Sequence, residues 1–300
     1  MRKRKLLSEL NLTDRFLFAQ VMEDAEAYQA FVSILLEEDV RFPSRTQTEK
    51  ELRISPDLRA ARLDVIAVDE SQKLYYTEMQ GKNTGNLIKR SRFYQAQLDV
   101  SLLEPGETNF NKLNPACMVM VAPFDIFGKG LYRYTFEGVC RECPELKLDD
   151  GALKIFINTR GTNEEDFSRE FLDLMMYIEN SADEIADKVQ SKRIRMIHNR
   201  VTKVKMSEKM GVKYMQWWEE LAEAKDEGHK AGREEGHKAG ELHMLVSQVV
   251  KKLRKGKATE VIAEELEECI DYIKEICEVA VEFAPEYDCE KILEKIRAGE

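Results

Sequence analysis

Several features that would assign this 300-residue chain to a special class of protein are scarce. It has only four histidines, six cysteines and seven prolines, and no apolar run approaches the ~20 residues needed to cross a bilayer. The apolar segment after the basic start at residues 1–5 is too short for a secretory signal. With 43% hydrophobic and 34% charged residues, the composition is typical of a helix-rich globular protein. We therefore expect a cytoplasmic protein with reduced thiols and no membrane partner.

The net charge of −10 argues against nucleic-acid binding until it is divided along the chain. Residues 1–187 have a net charge of −9, residues 188–213 of +8 and residues 214–300 of −9. The basic segment between two acidic ones offers a place for a polyanion. The alternative is a solvated helix face, or an intramolecular partner for the acidic tail.

Hydrophobic spacing predicts an α/β fold with a mostly helical C-terminal region. Helical periodicity covers residues 12–38 and 86–103, and β-branched or aromatic segments indicate strands. The predicted strands are 50–54, 62–68, 73–80, 116–122, 131–137 and 153–158, and further helices are predicted at 163–180 and 182–222. The order is therefore α-β-β-β-α-β-β-β, followed by helices. The predicted regions are a sheet domain at 1–180, a basic helical region at 181–225, a glycine-rich segment at 226–241 and a helical module at 242–300.

The glycine-rich segment contains the only internal repeat, the sequence EGHKAG at residues 227–232 and again at 235–240. Its four glycines recur every four residues, so in a helix they form one glycine ridge along which another backbone could approach. The members of this ridge are Gly228, Gly232, Gly236 and Gly240. The alternative is a simple linker, because each glycine costs about 1 kcal/mol of helix propensity. We interpret the acidic helical tail as an assembly module and expect a homo-oligomer formed through the C-terminal helices.

A predicted hairpin places two carboxylates together. If residues 69–73 form its turn, Val68 faces Leu74. Four residues further along each strand, Asp64 then faces Glu78, with Cβ atoms about 5 Å apart. Like charges in opposite positions destabilise a sheet, so a compensating cation is needed. Magnesium prefers such oxygen ligands, and we therefore expect a Mg²⁺ site, with Mn²⁺ as a substitute. The alternative is that both side chains face solvent.

The sequence segments around these carboxylates resemble those of a known family. The matching segments are residues 12–16 (LTDRF), 62–65 (RLDV), 77–80 (TEMQ), 90–99 (RSRFYQAQLD), 124–128 (FDIFG), 134–136 (YTF) and 157–161 (INTRG). Together they resemble the Rpn/YhgA-like recombination-promoting nucleases, a transposase-like family within the PD-(D/E)XK nuclease superfamily. The resemblance covers about residues 10–165 and implies a restriction-endonuclease-like core, a mixed sheet flanked by helices in the order α-β-β-β-α-β.

The resemblance also implies roles for particular residues. Asp64 and Glu78 would be the catalytic, metal-binding carboxylates, and the backbone carbonyl of Met79 would be a third ligand. Gln80 stands where the superfamily motif has a lysine, and it can orient water by hydrogen bonds but adds no charge. The literal "PD" at residues 56–57 precedes the predicted strand, and Asp14 is interpreted as a charge at a helix start.

A candidate DNA-binding surface follows the motif. Arg90, Tyr94 and Gln97 fall on one face of the predicted helix, where they could contact a phosphate or stack on a base. Tyr94 could equally be an ordinary core residue. The other candidate DNA contacts are cationic: Lys82 and Arg92 near this helix, and Arg193, Arg195 and Arg200 in the basic region.

Two hypotheses for function follow. The first is a Mg²⁺-dependent DNA endonuclease that hydrolyses phosphodiester bonds. The second is a catalytically weak module, derived from a mobile element, that binds DNA or protein. The intact set of Asp64, Glu78 and Gln80 favours the first, while the acidic net charge and the missing lysine favour the second.

Overall fold

The computed structural model describes residues 4–43, 46–52 and 61–299, and the chain divides into two compact units, Met1–Met215 and Gln216–Glu300. The strands, all in the first unit, are β1 (Gln47–Leu52), β2 (Ala61–Val68), β3 (Leu74–Met79), β4 (Ala116–Ala122), β5 (Arg133–Phe136) and β6 (Ala152–Asn158). The α-helices are α1 (Arg15–Met22), α2 (Ala25–Leu36), α3 (Leu87–Leu102), α4 (Arg169–Glu179), α5 (Asp183–Lys188), α6 (Lys192–Met206), α7 (Glu208–Leu253), α8 (Thr259–Leu266), α9 (Ile270–Val281) and α10 (Cys289–Gly299).

The first unit is built on one mixed sheet with the strand order β1-β2-β3-β4-β6-β5. Strands β1, β2 and β3 are antiparallel neighbours, whereas β4 is parallel to both β3 and β6. The β2–β3 turn is tight because Asp69 Oδ1 accepts hydrogen bonds from the backbone N–H groups of Ser71 and Lys73. The parallel step from β3 to β4 requires a crossover, which α3 provides. The predicted α/β class with a mixed sheet is confirmed.

Alternate residues of β3 show which helices cover each face of the sheet. The hydroxyl of Thr77 lies 2.8 Å from the hydroxyl of Tyr28 in α2. On the opposite face, the hydroxyl of Tyr76 donates to Gln95 of α3 at 2.9 Å. Because side chains alternate along a strand, Glu78 lies on the α3 face with Tyr76. The sheet is therefore covered by α2 on one face and by α3 on the other.

Two predicted helices are interrupted in the structure. The segment 12–38 forms α1 and α2, because the side chain of Asp24 accepts a hydrogen bond from Ala27 N and caps a new helix start. The segment 182–222 forms α5, α6 and the beginning of α7, with Ser191 capping α6 and Ser207 ending it. Helical periodicity continues across these breaks. The capping residues, aspartate and serine, are therefore the sequence signal that shows where one helix ends and the next begins.

The second unit is a small helical bundle with its own core. Val246 and Val249 of α7 pack with Ile262 of α8, Ile276 of α9 and Ile292 of α10, all of them fully buried or nearly so. In contrast, every side chain of residues 219–238 in α7 is exposed. The repeat segment is helical, since it lies within α7. No helix in the described part of the chain is both long and apolar enough to cross a membrane.

Candidate active site

The predicted hairpin register is confirmed, and it brings Asp64 and Glu78 together. Val68 pairs with Leu74 and Ile66 with Tyr76, and the same register puts Asp64 opposite Glu78. The backbone N–H of Asp64 donates to Glu78 Oε1 at 3.0 Å. Asp64 is 0% exposed and Glu78 only 2% exposed, so the alternative that both face solvent is wrong.

This carboxylate pair, Asp64 and Glu78, already has a compensating cation. The Nε atom of Arg15, the first residue of α1, lies 2.6 Å from Asp64 Oδ1. The two atoms form an ion pair but are not aligned as a hydrogen bond. The other oxygen, Asp64 Oδ2, accepts a hydrogen bond of 3.0 Å from the backbone N–H of Met79. Within the described residues, Asp64 Oδ1 therefore has the positive charge of Arg15 beside it but no hydrogen-bond donor.

Arg15 was not predicted as a site residue, although it belongs to the LTDRF segment. Its position follows from the contact between the start of α1 and the end of β3: a Cβ at Gly81 would lie 3.3 Å from the carbonyl oxygen of Thr13. Glycine at this position allows the two backbones to approach. The signal available in the sequence was the need of two buried carboxylates for a cation, since arginine is the side chain best suited to such a pair.

The net effect of burial and nearby charges is to raise the pKa values of both carboxylates. Burial raises the pKa of Glu78 well above its ordinary value, and the negative charge of Asp64 raises it further, while Arg15 and Arg90 oppose the shift. Burial also raises the pKa of Asp64, against the attraction of Arg15 and the hydrogen bond from Met79. For Arg15, burial lowers the pKa, but Asp64 and Glu78 raise it more. The guanidinium therefore stays charged beside a carboxylate pair that binds protons more readily than usual.

A third carboxylate, Glu49 of β1, lies near this pair. Thr48 pairs with Val65 and Lys50 with Leu63, which places Glu49 opposite Asp64. Its negative charge raises the pKa values of both Asp64 and Arg15. Its φ of 52° is unusual for a residue within a strand.

The donor chemistry of the carboxylate pair fits a hard divalent cation, although the pair alone is an incomplete ligand set. Carboxylates are typical magnesium ligands, and Asp64 Oδ1 accepts no hydrogen bond from the residues that the structure describes. Within residues 4–43, 46–52 and 61–299, no group of three His, Cys, Asp or Glu residues is close enough to hold a metal ion. A bound Mg²⁺ would thus need further ligands such as the carbonyl of Met79, water or substrate. Met79 is the last residue of β3.

The other predicted residues of the motif lie just beyond β3. Gln80 is half-buried, and its backbone N–H donates to the carbonyl of Val121 at 2.8 Å. Lys82 is exposed in the following turn. Asp14 occupies the N-cap position of α1, as expected for a helix-start residue, but its side chain accepts a hydrogen bond from Asn11 N rather than from the helix. The "PD" at 56–57 lies outside the described residues.

Helix α3 brings a second cation to the carboxylates. Arg90 lies close enough to Glu78 to lower its pKa, and its guanidinium sits over the ring of Tyr94, 5.6 Å from the centroid. The buried Nε and Nη2 atoms of Arg90 have no hydrogen-bond partner among the described residues. Gln97 is buried on the same helix, whereas Arg92 is exposed. A buried guanidinium with free donors indicates a site for an anion.

The predicted basic region does not continue this surface. Helix α6 packs against α1 and α2, and α2 covers the sheet face opposite to α3. Arg193 forms ion pairs with Glu170 and Asp39, and Arg195 donates to the carbonyl of Val189. Arg200 has a buried Nε atom without a hydrogen bond in the described part of the chain. Two of the three predicted arginines are therefore engaged within the unit itself.

No protein-family model, no curated protein and no solved structure matches the chain.

Proposed function

We propose that the chain is a metal-dependent endonuclease that hydrolyses phosphodiester bonds in DNA, with a PD-(D/E)XK core like that of the Rpn/YhgA-like nucleases. One juxtaposition supports this most: two buried carboxylates on neighbouring strands, with nitrogens of Arg90 nearby that have no hydrogen-bond partner in the described part of the chain. A carboxylate pair suits a divalent cation, and a guanidinium suits a phosphate. Phosphodiester hydrolysis uses both groups at one place.

Each residue has a role in this proposal. Asp64, Glu78 and the carbonyl of Met79 would hold Mg²⁺ or Mn²⁺, which would supply an activated water and offset the charge developing on the phosphate. Gln80 orients the attacking water through hydrogen bonds. Arg90 donates to phosphate oxygens, and the ring of Tyr94 beneath it fixes the plane of the guanidinium.

Arg15 has a preparatory role. Both carboxylates must be ionised to bind a metal ion, yet burial raises the pKa of each of them. The positive charge of Arg15, 2.6 Å from Asp64 Oδ1, favours the ionised form. It thereby keeps the pair competent for a cation at neutral pH.

One observation favours the second candidate, a module that binds DNA or protein without turnover. Arg15 already neutralises the buried pair in part, so the fold does not require a metal ion there. Together with glutamine in the lysine position, this arrangement suits a site that has kept its structure but lost catalysis.

Nicking of supercoiled plasmid separates the two candidates. The wild-type chain should nick DNA with Mg²⁺ or Mn²⁺ and not with EDTA, and Asp64→Asn should lower the rate on the order of 100-fold. The matched control is Glu70→Gln, an exposed acidic residue in the turn of the same hairpin, which should nick like wild type. Equal nicking by wild type and Asp64→Asn, or no nicking with either metal, would leave the binding module as the better account.

A further inference from the structure

The sheet face that carries Glu78 continues past the carboxylates towards β6 and β5. Glu78 pairs with Met120 of β4, and Met120 pairs with Phe156 of β6. Paired residues point to the same face, so Phe156 lies on the α3 side, two strands from Glu78. With neighbouring strands about 4.8 Å apart, this separation is roughly 10 Å.

A cavity opens at this place, beside α3. Its volume is about 270 Å³, and it is lined by Ile88 and Ser91 of α3, Phe127, Phe136 of β5 and Phe156. This is close to the lower limit of about 300 Å³ for small-molecule sites, so it suits one flat ring rather than a large ligand. We name it the aromatic pocket.

Three phenylalanine rings form the apolar part of the aromatic pocket. The centroid of Phe127 lies 4.9 Å from that of Phe136 and 5.2 Å from that of Phe156, and the last two rings are 5.7 Å apart. Phe136 is nevertheless 44% exposed, and Ile88 is 53% exposed. A ring that packs on two others and still faces solvent presents a surface on which another ring can stack.

The rest of the pocket lining is cationic. Lys89 and Arg92 of α3 and Lys154 of β6 complete the lining, and Lys154 pairs with Phe136 across the strands. None of the three forms an ion pair with a described residue, although Lys154 acts at longer range on Asp99. Apolar rings surrounded by unpaired cations fit a ligand that is both aromatic and anionic.

We propose that the aromatic pocket binds one nucleotide of single-stranded DNA, with the base stacked on Phe136 and the adjoining phosphates near Lys89, Arg92 and Lys154. Unstacked bases are bound in this way, by an aromatic platform beside a basic groove. Double-stranded DNA keeps its bases stacked on one another and cannot offer a ring. The inference rests on the proposed function, since it makes an unpaired strand, such as one exposed where a supercoiled plasmid opens, the substrate that α3 holds at both the pocket and Arg90.

Binding in EDTA tests the pocket without any cleavage. A fluorescein-labelled oligothymidine of about 12 nucleotides is titrated with the full chain, and anisotropy gives the Kd. Phe136→Ala should weaken binding about tenfold, and Phe136→Tyr should keep the wild-type Kd because the ring remains. The matched control is Phe110→Ala, which removes a phenylalanine that is 69% exposed outside the pocket and should leave the Kd unchanged. Arg92→Ala and Lys154→Ala should each lower the slope of log K against log salt by about 0.7.

Three results would contradict the proposed binding of a nucleotide in the aromatic pocket. The first is an equal Kd for Phe136→Ala and Phe110→Ala, and the second is duplex binding that is as tight and as sensitive to Phe136→Ala as single-strand binding. The third is binding of an acidic aromatic peptide in preference to the oligonucleotide. Failure here is distinct from failure of the nuclease proposal. A chain that binds single strands through Phe136 but never nicks DNA would contradict only the nuclease, and a chain that nicks with Phe136→Ala binding unchanged would contradict only the pocket.

Discussion

Two charged regions of the chain differ in how their charges are balanced. Asp64 and Glu78 are buried in the sheet, with Arg15 2.6 Å from Asp64. The middle of α7, residues 219–238, is rich in charged residues but wholly exposed, and the pair that His237 forms with Glu241, just beyond this segment, is surrounded by solvent. Water screens exposed charges, whereas a buried charge without a partner is costly. A change of charge should therefore affect stability strongly in the sheet and weakly in α7, where side-chain size matters more.

The largest effect is expected from removing the cation that pairs with the buried carboxylates. Arg15→Met keeps much of the side-chain volume but leaves two buried carboxylates without their partner. We expect a loss of about 3 kcal/mol in the free energy of unfolding at neutral pH, at the lower end of the range for a broken buried pair because Arg15 is itself 39% exposed. Urea unfolding followed by circular dichroism measures this loss.

The matched control for this variant is Arg160→Met. Arg160 is 65% exposed and pairs with Glu179, which is 28% exposed, so water reaches both charges and the removal should cost less than about 1 kcal/mol. Adding Glu78→Gln to Arg15→Met should recover most of the lost stability, because one buried charge is then gone. Equal losses for the two arginine variants would show that burial does not distinguish these ion pairs.

The hairpin could be predicted from the sequence because its contacts are local. The five-residue turn and period-two alternation determine which side chains face each other, and Asp64 and Glu78 are only 14 residues apart. Arg15 could not be placed in the same way, because its contact with Asp64 depends on how α1 packs against the end of β3. Local periodicity contains no information on that packing. The hairpin alone indicates only the need for a cation, and a metal ion and an arginine both meet that need.

The basic region also shows that sequence alone does not identify the contacts of a charged side chain. Its charge of +8 is evident in the sequence, but charge does not reveal which partner each arginine has. Arg193 binds Glu170, a residue of α4, and α6 lies in the helical layer with α1 and α2. The aromatic pocket could not be predicted as a unit, although Arg92 was among the predicted DNA contacts. Its rings come from β5, β6 and the loop before them, which only the strand order brings together.

A divalent cation should partly replace the missing arginine. If the carboxylate pair holds metal, Mg²⁺ should stabilise Arg15→Met by RT ln(1 + [Mg²⁺]/Kd), about 2.7 kcal/mol at one hundred times the Kd. Unfolding curves with Mg²⁺ and with EDTA measure this gain. It should disappear when Asp64→Asn is added. An Arg15→Met chain that Mg²⁺ does not stabilise would count against a metal site and in favour of a purely structural pair.

The pH dependence of stability should distinguish Glu78 from exposed acids. Because the pKa of Glu78 is raised above its ordinary value of 4.5, the folded chain binds this proton more tightly than the unfolded chain. The contribution of Glu78 to the free energy of unfolding should therefore fall as the pH rises from about 4.5 through the raised pKa. Glu78→Gln does not titrate, so it should be more stable than wild type by about 1 kcal/mol at pH 8, and this difference should vanish near pH 4. Glu70→Gln, exposed in the turn, should show no such trend in the same unfolding series.

The smallest changes in stability are expected along the glycine ridge of α7. A Cβ added at Gly232 or Gly236 meets no atom within 4 Å, so alanine at each position should stabilise the helix by about 1 kcal/mol. Hydrogen exchange of the α7 amides measures this gain. Leucine at both positions should behave like alanine if the segment is only a helical linker. If the ridge pairs with a second copy, leucine prevents the close approach while alanine largely preserves it, so light scattering should give a lower mass for the double-leucine variant alone. An unchanged mass together with the expected gain in protection would leave the linker, because both substitutions would then have met nothing but water.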